Sequence, residues 1–251
     1  MGTINHAGLS DTGRLRTANE DRWFADPRQG LYLVADGIGG AVAGGLASQI
    51  VAEVLPRLLQ GKLQGKLQGK LQGAKAIPEI AKQVATALVE LSERLWEESQ
   101  RTLDLKGMGS TVVLALVRDR QAVVAHLGDS RAYLLHAGRL EQLTKDHTLA
   151  QLLADRGQIT PEEVASHPAH SHLTRFVGMG MESLPETKVV ALAPGDRLLL
   201  CSDGLTGMLS DPQILKIISQ QIAPEETCRQ LIEAANHAGG KDNITAVIVM
   251  G

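Results

Sequence analysis

Three runs decide the fold: TVVLALV at residues 111–117, AVVAHL at 122–127 and AYLLH at 132–136. Each is short and apolar, and polar residues separate one from the next. Runs of this length bounded by turn residues read as strands. Connections this tight join antiparallel neighbours, because a parallel pair needs a crossover of roughly a dozen residues or more. The expectation is an antiparallel meander from residue 111. Upstream, LYLVA at 31–35 reads as a buried strand that breaks at Asp36-Gly37 into a glycine-rich turn, followed by an apolar helix from about Gly45 to Leu59. Residues 77–101 carry Ile80, Val84, Leu88, Leu91 and Leu95 at helical spacing. Downstream, strands are expected at about 187–192 and 197–202, linked by Pro194-Gly195-Asp196. Helices at about 212–221 and 224–238 and a last strand, Thr245–Met250, complete an α+β pattern that reads as one domain over 1–251.

The bulk properties exclude several classes. Lys and Arg number 25 against 28 Asp and Glu, interspersed along the chain. No basic block suggests a nucleic-acid partner. Two cysteines, Cys201 and Cys228, form neither a metal-ligand spacing nor a disulfide framework. The N-terminal stretch has no signal-peptide run, and no stretch of 18 apolar residues suggests a membrane span. A reducing, cytoplasmic setting is the expectation. A single internal repeat, Leu-Gln-Gly-Lys, starts at Leu59 and closes with Leu71-Gln72-Gly73, an insertion of about 59–73. Its leucines suit one helical face, while each glycine costs about 1 kcal/mol in a helix. The repeat therefore reads as either a marginal helical extension or a mobile surface loop without chemistry of its own.

The residues that carry chemistry are aspartates. Asp36 and Asp203 each follow an apolar strand and precede a glycine; Asp129 follows a strand and a glycine. Asp242 stands in GGKDN just before the last strand, and Asp21 in RTANED at 16–21. A lone Asp-Gly after a strand is usually a turn. Five such sites with little His or Cys company point elsewhere: carboxylate oxygens are hard ligands that select Mg²⁺, Mn²⁺ or Ca²⁺. Carboxylates gathered at one place need cations between them, and two such ions are the usual apparatus for attack on phosphorus.

The chain resembles the metal-dependent (type 2C) serine/threonine protein phosphatases, especially their short bacterial members. The stretches that carry the likeness are RTANED (16–21), LYLVADGIGG (31–40), GSTVVLALV (109–117), HLGDSRAYLL (126–135), LTKDH (143–147), GDRLLLCSDGL (195–205) and GKDNITAVIV (240–249). The resemblance implies two antiparallel β-sheets packed as a sandwich with helices outside. It implies Mg²⁺ or Mn²⁺ as cofactor, with two tightly bound ions and a third, weaker one. Asp36 bridges the two metals in this reading, joined by the Gly37 carbonyl. Asp203 and Asp242 complete one site, and Glu20 and Asp21 hold the other ion mainly through waters. Asp129 with Asp203 binds the third, and Arg16 clamps the substrate phosphate. Residues at about 147–182 match the family's flap, in which Arg175 is a substrate-side contact. Water activated between the metals attacks phosphorus without a covalent enzyme intermediate. The implied substrates are phosphorylated proteins, the implied opponents serine/threonine kinases in bacterial signalling, and the expected state a monomer.

Ile38 stands where animal relatives carry a histidine proposed as the general acid, so a metal-bound water is the first candidate for that role, with His147 and His172 behind it. Two other readings are weighed. Asp36-Gly37-Ile38-Gly39-Gly40 resembles a dinucleotide fingerprint, but Val42 occupies the position that needs Gly or Ala; Gly65-x-x-x-Gly69-Lys70 is one residue short of a phosphate loop. A catalytically inactive binding or sensing module would lack metal-site aspartates, and here all five are present with Arg16.

Overall fold

The computed structural model describes residues 4–67, 76–101, 103–181 and 183–251. Two antiparallel sheets stack with helices on both outer faces. One sheet contains β2 (Asp21–Asp26), β3 (Leu31–Ile38), β5 (Val112–Arg118), β6 (Gln121–Leu127) and β9 (Glu186–Ala191) in the order β2-β3-β5-β6-β9, with β4 (Gly109–Ser110) paired to β3. The other runs β1-β11-β10-β7-β8, from β1 (His6–Asp11), β7 (Arg131–His136), β8 (Arg139–Gln142), β10 (Arg197–Cys201) and β11 (Ile244–Met250).

The strands read as unbroken apolar runs because both faces are buried. On β3, Tyr32 and Val34 enter the layer between the sheets, while Leu31, Leu33 and Ala35 face the helices α1 (Ala41–Leu67) and α2 (Ile77–Arg101). On β11, Val247 and Val249 enter that layer, while Ile244, Ala246 and Ile248 face α4 (Asp203–Thr206), α5 (Asp211–Ile218) and α6 (Pro224–His237). Period-two alternation thus builds three apolar layers from strands that show no polar face.

The expected meander is corrected at its second turn. β5 and β6 pair in register from Val112↔Leu127 to Arg118↔Gln121, but β7 pairs with β10 and β8 in the other sheet. The turn Gly128-Asp129-Ser130 carries the chain between sheets, with Gly128 at φ +108°. A run buried on both faces has no polar side to reveal which sheet it joins. Strands β1, β2 and β8 were not expected from the sequence; their burial is patchy and their composition more polar. The strands joined by Pro194-Gly195-Asp196 also lie in different sheets.

Helix α1 starts earlier and runs further than Gly45–Leu59, continuing through the first part of the repeat to Leu67; residues 68–75 lie outside the described ones. Leu59 and Leu63 are 1% and 8% exposed and join the core with Ile77 and Ile80. Burying a leucine contributes about 1.5–3 kcal/mol, which outweighs roughly 1 kcal/mol for an interspersed glycine. Lys62 adds an ion pair to Glu90 of α2, at 2.6 Å. By length and composition α1 could span a membrane, but here it packs one face against β3 and α2. The flap region contains α3 (Leu149–Asp155), capped by Thr148, and a 3₁₀ turn at Pro161–Ser166, and it is pinned to the body by a bridge between Ser110 and Val177.

Replacing Leu59 by Ala is expected to lower stability by about 2–5 kcal/mol, read as a drop in the denaturant midpoint. A change below about 0.5 kcal/mol would mean that the repeat's leucines contribute no core.

Candidate metal centre

At one end the layer between the sheets changes from aliphatic to oxygen-bearing. The face of β3 that carries Tyr32 and Val34 continues to Asp36. The face of β11 that carries Val249 and Val247 ends at Thr245, and that of β10 with Leu198 and Leu200 leads to Ser202. Asp21 of β2 stands directly across from Asp36. It is only 2% exposed. Ser202 Oγ and Thr245 Oγ1 each donate to its Oδ2 at 2.7 Å.

Its other oxygen, Oδ1, is buried without a hydrogen-bond partner, and so is Asp203 Oδ1. A buried carboxylate oxygen left unpaired is costly, so both atoms call for a proton or a cation. Burial first, then the nearby Asp203 and Asp242 charges, against the two hydroxyl bonds, leave the Asp21 carboxyl at about 6. Asp36 is pushed well above the usual carboxylate range by burial and then by Asp21 and Asp203. Asp129 moves the same way through burial and then Asp203 and Asp146. Asp203 is raised by burial and then by Asp242. Four shifts of one sign mark an excess of negative charge with too little solvation, which a divalent cation relieves. The donors are all hard oxygens, and they fit Mg²⁺ or Mn²⁺.

An open cleft of about 270 Å³ gathers these groups. Arg16, Glu20, Asp36, Gly37, Asp129, Asp203 and Asp242 all line it. Asp21 is not among the lining residues; it is buried across the β2–β3 pairing from Asp36, held by the two hydroxyls. Arg16 donates from Nη2 to Asp242 Oδ2 at 2.7 Å. The glycines beside the aspartates have a role the sequence did not reveal. Neither Gly37 nor Gly204 has left-handed backbone; a Cβ on Gly37 would stand 2.1 Å from the Gly44 carbonyl oxygen, and one on Gly204 1.9 Å from that of Asn243. They are needed for close backbone approach rather than for a sharp turn. Likewise a Cβ on Gly44 would stand 2.1 Å from Glu20 Oε2.

Two supporting residues escaped the sequence reading. Asn243 accepts the Glu20 N–H at 2.8 Å and donates to the Thr12 and Ala18 carbonyls, both at 2.9 Å, so it ties the Arg16–Glu20 loop to the start of β11. Thr111 Oγ1 accepts the Asp36 N–H at 3.1 Å and shares a 2.7 Å bond with Ser130 Oγ, which links Asp36 to the turn of Asp129. Asn243 was visible beside Asp242 in GKDN; Thr111 lies in GSTVVLALV, but nothing in its residue type marks it as the partner of the Asp36 N–H.

Three residues weighed from the sequence stand outside the cleft lining. Arg175 does not line the cleft: its guanidinium donates to the Leu184 carbonyl at 3.2 Å and to Glu186 Oε1 at 3.0 Å. Neither His147 nor His172 lines the cleft. His147 is 3% exposed, and burial, then His126 and Arg175, lower it to about 3. His172 is exposed and contributes its carbonyl to the Leu149 N–H. His126, His147 and Glu186 do bring possible ligand atoms within 4.8 Å of one another. However, His147 Nδ1 accepts the Gly128 N–H at 3.2 Å, so the proton of the neutral ring is on Nε2, 3.3 Å from Glu186 Oε1 and poorly aimed at it. A protonated nitrogen has no lone pair for a metal, so this trio is a link between segments and not a second centre.

Comparison with known proteins agrees with the site. The family model described as protein phosphatase 2C matches residues 14–242. A serine/threonine protein phosphatase, PstP, of Mycobacterium tuberculosis is 40% identical over 98% of this chain, which spans 44% of that protein's length. A serine/threonine phosphatase, stp, of Listeria welshimeri is 36% identical over 96% of this chain and 93% of its own. The solved catalytic domain of PstP in complex with two manganese ions superposes with a TM-score of 0.77 at 34% identity, covering 98% of this chain and 97% of that one. Sandwich, acidic cleft and family match together establish that this chain belongs to the protein phosphatase 2C family.

Proposed function

We propose that the chain hydrolyses phosphoserine and phosphothreonine in proteins with the help of two tightly held Mg²⁺ or Mn²⁺ ions and a third, weaker one. The observation that carries this reading is the convergence of Glu20, Asp36, Asp129, Asp203, Asp242 and Arg16 on one cleft. Asp36, Asp203 and Asp242 would hold one ion, Asp36 with Glu20 and the deeper Asp21 the other, and Asp129 with Asp203 the weak one. When bound, the ions supply Lewis acidity toward water and toward the phosphoryl oxygens. Arg16 is a planar, permanently charged fork suited to phosphoryl oxygens. Asp21 is outside the cleft lining, and its hydroxyl-bound carboxylate would add fixed negative charge behind the residues that would hold the ions. No histidine lines the cleft among the described residues, which favours a water held in the cleft over a histidine as the group that protonates the leaving oxygen. With every expected acidic group in place, an inactive binding module has no support. The substrates in this reading are phosphoproteins made by serine/threonine kinases, and the protein works as a cytoplasmic monomer.

Purified protein with Mn²⁺ should release phosphate from p-nitrophenyl phosphate and from a phosphothreonine peptide, and EDTA should abolish both. Failure with every divalent ion would overturn the enzymatic reading. Asp36→Ala should lower kcat/KM by roughly a thousandfold or more. Arg16→Ala should raise KM by about ten- to a hundredfold, the worth of a charge-assisted bond; an unchanged KM with lower turnover would remove Arg16 from its role as clamp.

The acidities set a pH dependence. Asp21 binds its proton more tightly when folded, at about 6 against 3.8 for a free aspartate. Between these values the folded chain holds more protons than the unfolded one, so metal-free stability falls as pH rises through that window and stays lower above it. Cations compete with those protons. The rise in Tm caused by Mn²⁺ should therefore be larger near pH 7.5 than near pH 5; equal or larger stabilisation at the lower pH would contradict the assignment of the site.

A further inference from the structure

Among the site carboxylates, Asp129 alone stands on the turn that passes from one sheet to the other, where no strand ladder fixes its aim. That turn leaves β6 in one sheet and enters β7 in the other. Both backbone polar groups of Gly128, the residue before it, are bound by a single partner. The Gly128 N–H donates to His147 Nδ1 at 3.2 Å, and the Gly128 carbonyl accepts the His147 N–H at 3.0 Å. Gly128 itself is locked at φ +108°, and a Cβ there would stand 2.7 Å from Thr111.

His147 reaches the other way as well. Its carbonyl accepts the Thr174 N–H at 2.8 Å, and its neighbour Thr148 bridges Leu173. Leu173 and Ser171 form a wall of the cleft. The segment that carries His147 is held firmly. Arg131 grips Asp146 with Nε and Nη2, the shortest bond being 2.7 Å, and His126 Nε2 donates to the Lys145 carbonyl at 2.8 Å. The His147 ring stacks on that of His126 with centroids 4.4 Å apart. The ring therefore cannot swing away, and its Nδ1 lone pair is presented to Gly128.

We propose that His147 is a positioning residue that fixes the turn of Asp129 and seats the cleft wall at 171–174 together, and thereby sets the affinity for the weakest-held divalent cation. The inference rests on the reading of Asp129 as a ligand of that cation. Its chemistry is specific to one nitrogen. An asparagine at 147 places Oδ1 where Nδ1 stands and can accept the same N–H. A glutamine places its acceptor where Nε2 stands and cannot.

The test is a calorimetric Mn²⁺ titration of the full chain and its variants. His147→Gln should weaken the weakest binding step about tenfold, the usual effect of removing a residue that orients a ligand, with the tighter steps unchanged. His147→Asn should stay close to the parent. A second measurement needs no variant: in amide NMR of the parent, Gly128 and His147 should shift over the Mg²⁺ range that fills the weak step. Equal weak steps in the Asn and Gln variants, a loss spread over all steps, or resonances that follow only the tight steps would each overturn the inference. Asp129→Ala separates the two readings. A weak step that survives it overturns the assignment of Asp129, and the inference with it; a weak step lost in Asp129→Ala but indifferent to Asn or Gln at 147 overturns the inference alone.

Discussion

Mutual repulsion among carboxylates at the end of an apolar layer is the constraint on which the rest depends. Asp21, Asp36, Asp129 and Asp203 each hold their protons more tightly than a free aspartate, with burial the first cause in every case and neighbouring aspartates adding to it. Domains are stable by only about 5–15 kcal/mol, so such a cluster is tolerable only on a rigid support and with countercharge within reach. The support is two sheets whose strands are buried on both faces. The countercharge from the protein is small: Arg16 meets Asp242 at the cleft's edge, and the two hydroxyls on Asp21 oppose its deprotonation cost only in part. Divalent cations would supply countercharge of the hardness these oxygens favour.

The architecture delivers the acids from separate directions. Asp36 arrives on β3, Asp203 at the start of α4 after β10, Asp242 just before β11, and Asp129 on the turn between sheets. The backbones around them pass close enough to exclude any side chain at Gly37 and Gly204. The same close approach makes the support stiff, since the carbonyls of Gly44 and Asn243 occupy the space that a more flexible packing would leave open. Hydroxyl and amide side chains of Thr111, Ser202, Thr245 and Asn243 then join strand to strand beneath the acids.

Much of this was legible in the sequence, for identifiable reasons. The aspartates stood out because polar residues at the ends of apolar runs break a strong pattern, and the ordered motifs identified the family. Core strands and α2 were visible from periodicity. The partition of strands between sheets was not, because Val123 faces the helices and Val124 the inner layer with nothing in their chemistry to tell them apart. The helical reach of the repeat was undecided because glycine propensity and leucine burial oppose each other, and only the position of α2 decides between them. Arg175 was singled out by a stretch, 173–178, that resembles a family motif; its contact with Glu186, remote in sequence but close in space, could not be read from that stretch. His147 was weighed as an acid by residue type, yet its burial and its bond from Gly128 make it an acceptor.

Two arginine–aspartate pairs show how the same chemistry serves scaffold and site. Arg131 holds Asp146 through Nε and Nη2, with the side chains only 26% and 12% exposed. A forked, half-buried pair of this kind is strong and geometrically fixed, and breaking it would leave charge without solvent. Arg16 meets Asp242 through Nη2 alone, with side chains 51% and 36% exposed. An exposed pair contributes only about 0–1 kcal/mol, so both partners can change company at little cost. Asp242 can turn to a cation, and Arg16, no longer countering it, can turn to the phosphoryl group that the proposed reaction brings to the cleft. The weakness of that contact is what suits the pair to a binding site, while the Arg131–Asp146 grip holds the chain segment on which His147 and the turn of Asp129 are set.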